Sequence, residues 1–170
     1  DLMGIFQMEV LTYVPSNVVL TLSGHPISGW TSISITPSFP AFKQIAGIRG
    51  KNTRTRNKNT SATVTIEVLH TELINDVLSM VLQADMAAGT GRLEVSLSES
   101  TGTSFFTSTS AYITSYPEMR YEGDITTRVW TLQCESSEMH IGNAKSAALG
   151  VISGAISSLK SAASSVMDLF

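Results

Sequence analysis

The chain has 170 residues, 42% hydrophobic and 15% charged, with a net charge of −3. That length can bury one substantial core, and that charge excludes any overall electrostatic pull on DNA or on an anionic membrane. The best candidate for a membrane span, "ALGVISGAISSLKSAASSVMDLF", is interrupted by Lys160 and diluted by serines, so no membrane-spanning segment of roughly 20 apolar residues is read here. A single cysteine, Cys134, excludes an internal disulfide, fits folding in the cytosol, and reads as a buried small hydrophobe within an apolar strand. The start, "DLMGIFQMEV", lacks the basic n-region and long apolar run of a secretory signal. Ser and Thr take the place of much of the usual Lys and Glu, and such a neutral surface offers little repulsion against self-association.

In chain order, "VVLTLSGHPISGWTSISI" carries Leu20 and Leu22, a turn at Gly24–Pro26, then Ile27, Ile33 and Ile35, which predicts a β-hairpin or a close relative. Pro37 and Pro40 precede "AFKQIAGIRG", a further short strand running into a basic loop. Beyond that loop "SATVTIEVL" alternates, with Ala62, Val64, Ile66 and Val68 on one face and Thr63, Thr65 and Glu67 on the other. The connection between these two strands is long for a hairpin, and loops of about a dozen residues are usually functional or disordered.

At Thr71 the period changes. Thr71 and Glu72 can start a helix in which Leu73, Val77, Met80, Val81 and Ala84 form an apolar face, stopped by Gly89 and Gly91. Then "RLEVSLSES", "SFFTSTSAYITSY", "MRYEG" and "TTRVWTLQCES" all read as strands of a meander. Strands thus dominate, and one helix beside them predicts an α+β, mainly β fold: a sandwich or half-open barrel closed on one side by the helix. From Asn143 the composition shifts to Ala, Ser and Gly. Ala148, Ile152, Ala155, Leu159, Ala162, Val166 and Leu169 recur in steps of four and three, which predicts an amphipathic C-terminal helix that docks on its own domain or on a neighbour. The expected division is a β domain over residues 1–140 and a helical extension over 141–170.

Catalytic and metal chemistry find no constellation. His25, His70 and His140 stand outside any ligand spacing, no Gly-x-Ser-x-Gly elbow is present, and Glu118, Glu122 and Asp124 gather at a turn as solvated carboxylates do. The expectation is a non-enzyme with no metal and no cofactor. What remains is charge placement. Arg49, Lys51, Arg54, Arg56 and Lys58 put five of the eleven basic residues within residues 49–58, whereas residues 70–140 hold ten acids against Arg92, Arg120 and Arg128. Five cations could contact phosphates, but no aromatic is interleaved for base stacking. A cationic hairpin tip on an acidic domain is better suited to an acidic surface of another copy, and such asymmetry favours head-to-tail contacts that close into rings or propagate as stacks.

Several segments resemble phage tail tube proteins of the contractile, myovirus-like kind. "YVPSNVVLTLSGHPISGW" is similar to that family's entry strands, with Tyr13-x-Pro15-x-x-Val18 leading to a hairpin. "RGKNTRTRNKNTSATVTIEVLHTELINDVLSMVLQAD" resembles its middle, and "YEGDITTRVWTL" its closing strand, with Arg128 and Trp130 where the family has a basic residue and a Trp. The resemblance spans about residues 13–135 and implies a tail-tube-like β-sandwich or half-barrel with a flanking helix and a long β-hairpin loop. It implies homohexameric rings stacked into a channel through which double-stranded DNA passes without specific binding. It implies a location in the virion after synthesis in the host bacterial cytoplasm, and tail sheath, tape-measure and baseplate or tail-terminator proteins as partners. On it, Arg49, Lys51, Arg54, Arg56 and Lys58 belong to an inter-ring contact loop, and Trp30, Trp130 and Arg128 are interface or core anchors. The alternatives are a nucleic-acid-binding module using residues 49–58 and a secretion-system inner-tube protein.

Overall fold

A computed structural model describes residues 14–142 and 157–164 of the chain. Among the described residues, nine strands and the helix α1 follow in order before the helical 157–164: β1 (Val18–Leu22), β2 (His25–Ile27), β3 (Trp30–Pro37), β4 (Phe42–Ala46), β5 (Asn52–Arg56), β6 (Ala62–Leu69), α1 (Ile74–Ala88), β7 (Leu93–Glu99), β8 (Phe105–Ile113) and β9 (Thr127–His140). Seven of the strands form one antiparallel sheet in the order β2-β1-β7-β8-β9-β6-β3. β4 and β5 pair only with each other, among the described residues, in a separate ribbon. The mainly β half-barrel anticipated from the pattern is therefore what forms, as one curled sheet with a helix on one face. Register shifts where β3 meets β6, β7 meets β8 and β8 meets β9 put extra residues in β3, β8 and β9, bulges that bend and twist the strands that carry them.

The core is built by period-2 alternation. Ala62, Val64, Ile66 and Val68 of β6 are buried, as are Trp130, Leu132 and Cys134 of β9, and the two strands are directly paired so that their apolar faces coincide. Phe106, Ala111 and Ile113 of β8, Val95 of β7 and Leu20 of β1 extend the same face. At the β8 bulge, buried Ser108 donates its hydroxyl to the Ser136 carbonyl and thereby bonds an acceptor near the interrupted ladder.

Three local expectations change. The β1–β2 turn is Ser23–Gly24, both at positive φ (48° and 84°), as a two-residue hairpin turn requires, and Pro26 sits in edge strand β2 where no ladder donor is needed. β3 does not continue that hairpin but lies at the opposite edge of the sheet, against β6. "MRYEG" is not a strand. Residues 114–126 are irregular, and within them the Arg120 carbonyl accepts from both Thr126 Oγ1 and Arg128 Nη1 instead of from a neighbouring strand.

The helix begins later than Thr71 and turns a different face inward. Its core contacts are Leu78 and Leu82, with Ile74 and Val81 packed beside them, whereas Leu73 (73% exposed), Val77 and Met80 face outward. Two adjacent apolar stripes run along α1, and the sheet can cover only one. Asn75 holds the helix start in place: its amide donates to the carbonyls of Leu69 and Glu72, and its Oδ1 accepts from Trp130 Nε1 at 2.9 Å. Gly89, at φ 68°, ends the helix in the left-handed region, with its N–H bonded to the Asp85 carbonyl. The predicted C-terminal helix lies mostly outside the described residues; of it, 157–164 are helical and exposed.

Replacing Asn75 with Ala leaves the buried Trp130 indole N–H without its acceptor, at a cost of about 1–3 kcal/mol. Urea denaturation followed by Trp fluorescence is expected to show the midpoint falling with an unchanged m-value. An unchanged midpoint would mean that this bond does not hold the helix to the sheet.

Candidate assembly interface

The basic segment is not a bare loop but the tip and returning strand of a projecting arm. β3 and β6 pair as far as Pro37 opposite Ala62, and the intervening residues 38–61 leave the sheet as the β4–β5 ribbon. "NTRTR" shows no apolar alternation because neither face of β5 is buried, so its strand is set by pairing with β4 alone. The root is secured by short bonds. Ser38 N–H donates to the Ser61 carbonyl, Asn57 N–H to the Ala41 carbonyl, and Ser137 Oγ to the Thr60 carbonyl at 2.7 Å. Asn57 and Asn59 each accept from a backbone N–H two residues on, forming Asx turns that fix the return of the chain to β6. At the tip, Gly50 (φ 76°) donates to the Gly47 carbonyl and Gly47 to the Lys51 carbonyl, closing a tight turn that only a residue tolerant of positive φ can make.

Cross-strand pairs place Phe42, Gln44, Ala46, Asn52, Arg54 and Arg56 on one face of the arm, and Lys43, Ile45, Thr53 and Thr55 on the other. The Arg54 guanidinium carbon lies 4.2 Å from the Phe42 ring centroid, a cation–π contact that orders both side chains. Arg49 and Lys51 sit at the tip and Lys58 at the root. Among the described residues the ion pairs are Arg92–Glu135 and Arg120–Glu122, so no arm cation has a carboxylate partner. Charge reasoning missed the arm's apolar content: Phe39, Phe42, Ile45 and Ile48 are all exposed, with Ile48 at the tip fully so. The signal was present in "FKQIAGIRG", where two isoleucines and a phenylalanine interrupt a polar, glycine-punctuated stretch.

The three anchors lie elsewhere. Trp130 is in the core, Trp30 is half-buried against it, and Arg128 is buried at 7% exposure. The Arg128 guanidinium donates to the Arg120 and Thr127 carbonyls and to Thr126 Oγ1, and stacks 4.9 Å from the Tyr121 centroid, so it holds the 114–126 segment against the sheet.

The sheet face opposite α1 carries Thr63, Thr65, Thr131, Gln133 and Ser96, the carboxylates of Glu67, Glu94 and Glu135, and also Val19, Val129 and Tyr112. Arg92 lies beside this face, hydrogen-bonded to Glu135. That bond, with a second from Ser110, holds the Glu135 carboxyl below its usual range. Because the folded pKa is depressed, the contribution of this exposed pair is present at neutral pH and fades as pH falls through it. Burial pushes the Cys134 thiol up, against a smaller opposing effect of the Ser108 hydrogen bond. The two outer strands, β2 and β3, have one unpaired edge each among the described residues, and β3 is a long edge without a charged side chain.

No protein-family model matches the chain. It is 26% identical over 146 residues to structural protein ORF10 of Pseudomonas phage KPP10, a match covering 79% of this chain and 84% of that protein. Among solved structures, the tube-terminating cap of the anti-feeding prophage superimposes with a TM-score of 0.56 at 13% identity, covering 81% of this chain and 97% of the other. The sheath/tube terminator of the PVC extracellular contractile injection system gives 0.54 at 15%, covering 79% and 99%. A chain of the extended PVC sheath-tube complex gives 0.53 at 13%, covering 81% and 95%. At these identities the structural likeness is one of fold. The sequence likeness is to a structural protein of a phage, and the fold likeness is to components of contractile injection systems. Among the described residues no helix is long and apolar enough to cross a membrane.

Two outcomes are expected. Arg54→Glu with Arg56→Glu should leave the thermal midpoint within a few degrees of wild type, since exposed arm charges contribute little to the domain's own stability, while self-assembly measured by light scattering is lost. The native Cys134 thiol should resist maleimide until the protein is unfolded, because the residue is buried and its thiolate disfavoured. Prompt native labelling would contradict the burial of β9.

Proposed function

We propose that this chain is a non-enzymatic, ring-forming subunit of the tail tube, six copies to a ring, with rings stacked into a conduit for double-stranded DNA. The observation that carries the reading is the arm, residues 38–61: two strands that, among the described residues, pair only with each other hold exposed apolar and cationic side chains that bury little in the isolated subunit. Their use lies in another copy. Edge strands β2 and β3 supply the lateral contacts, since strand pairing between neighbours removes the hazard of an open β3 edge. The hydroxyl-rich sheet face with Glu67, Glu94 and Glu135 suits a bore, because a neutral-to-acidic wall does not retain passing phosphates. The arm's cations, multiplied by six, would retain them, and so belong in the contacts between rings. Sheath, tape-measure and baseplate proteins are the partners such a tube requires.

A second reading is favoured by the fold shared with a tube-terminating cap and a sheath/tube terminator. In it the same subunit forms a single ring that closes the tube. Negative-stain electron microscopy of the purified protein across concentration separates the two. Hollow rods that lengthen with concentration are expected for the tube, and discrete rings that never stack for the terminator. Monomers at every concentration, together with DNA binding that weakens steeply with salt, would instead support the nucleic-acid module and end both readings.

A further inference from the structure

Between α1 and the β1–β2 hairpin lies a mainly apolar cleft of about 540 Å³. Leu22, Ile27, Leu78 and Leu93 of the core side and Leu73 and Val77 of the exposed stripe line it, His25 lies on the hairpin side, and its one carboxylate is that of Glu72. Leu73 and Val77 belong to the second apolar stripe of α1, the one that the sheet leaves uncovered. Glu72 is positioned at the rim by a glycine: Gly29 (φ 81°) lies directly under its side chain, where any Cβ would collide with the carboxyl group. The cleft thus pairs an apolar floor with a single negative charge at its edge.

The arm tip has the matching chemistry. Ile48 is fully exposed, Ile45 is 52% exposed, and Arg49 and Lys51 flank them without carboxylate partners. The tip is also narrow, because Gly47 and Gly50 close it without side chains of their own. Its full exposure shows that it does not occupy the cleft of its own chain. We infer that the arm tip of one copy inserts into the α1/β2 cleft of a second copy, with Ile48 on the apolar floor and Arg49 or Lys51 against Glu72. This rests on the proposed ring-forming role and names the receptor that the arm engages. Complementary charge makes the contact directional: a tip cannot seat on another tip, and a cleft cannot seat on another cleft. Since every copy carries both halves, the contact propagates around or along an assembly.

The test uses the full chain carrying both Ile48→Cys and Val77→Cys, assembled and then oxidised, with each single variant as a control. Buried Cys134 contributes little background. The expected result is a ladder of disulfide-linked multimers on a non-reducing gel, absent from both single variants. Ile48→Asp should raise the concentration needed for assembly about ten- to hundredfold, as loss of one buried isoleucine implies. Rings or rods of normal form with no ladder would overturn the inference and leave the assembly reading standing. So would a ladder formed only when Leu159→Cys replaces Ile48→Cys, which would assign the cleft to the C-terminal segment. Wild-type protein that never assembles would remove both.

Discussion

The pairing of β6 with β9 is the constraint on which the rest depends. Both strands alternate in phase, so one face of the sheet collects Val64, Ile66, Trp130 and Leu132 while the other collects Thr63, Thr65, Thr131 and Gln133. A one-residue slip would exchange the faces completely, and the burial of Trp130 forbids it. Trp130 also reaches beyond the sheet: its indole bond to Asn75 decides where α1 starts and which of the helix's two apolar stripes turns inward. The uncovered stripe is therefore a consequence of the core rather than a fault in it.

From that core follows a division of labour along the chain. Among the described residues the buried hydrophobic core lies within the seven-stranded sheet and α1, and 38–61 is added at the ends of β3 and β6 without disturbing their register. An insertion between two paired strands adds little closure cost, because the strands already hold its ends together. On the proposed assembly role, the arm's composition answers to a partner rather than to its own core, which leaves apolar and cationic side chains in water when the subunit is alone.

How far the sequence disclosed this varies with how much local physics each element obeys. β6 was legible residue by residue, because a half-buried strand must alternate and "SATVTIEVL" does. The existence of α1 and its stop at Gly89 were legible too. Its buried face was not, because Leu73, Val77 and Met80 keep helical spacing as well as Ile74, Leu78 and Val81 do, and only tertiary packing chooses between them. β5 was read as loop because a ribbon buried on neither face carries no hydrophobic period. "MRYEG" alternated by chance, and the Arg128 and Thr126 side chains took the carbonyl that a ladder would have used. The cations of residues 49–58 stand out in the sequence, whereas Ile45 and Ile48 just before them do not, since charge dominates the pattern.

That mixture bears on what kind of recognition the arm performs. Exposed ion pairs are weak and screened by salt, so five cations alone would give a contact that is fast to form and easily lost. Isoleucine burial is insensitive to salt but does not fix orientation. An arm combining both would be steered by charge and retained by apolar contact, with the glycines at 47 and 50 keeping the tip slender enough to enter a cleft. On the proposed tube role the same separation would serve a conduit: with the arm's cations committed to contacts between copies, the hydroxyl-rich sheet face, where Arg92 is held by Glu135, would offer a passing polyanion no unpaired cation among the described residues.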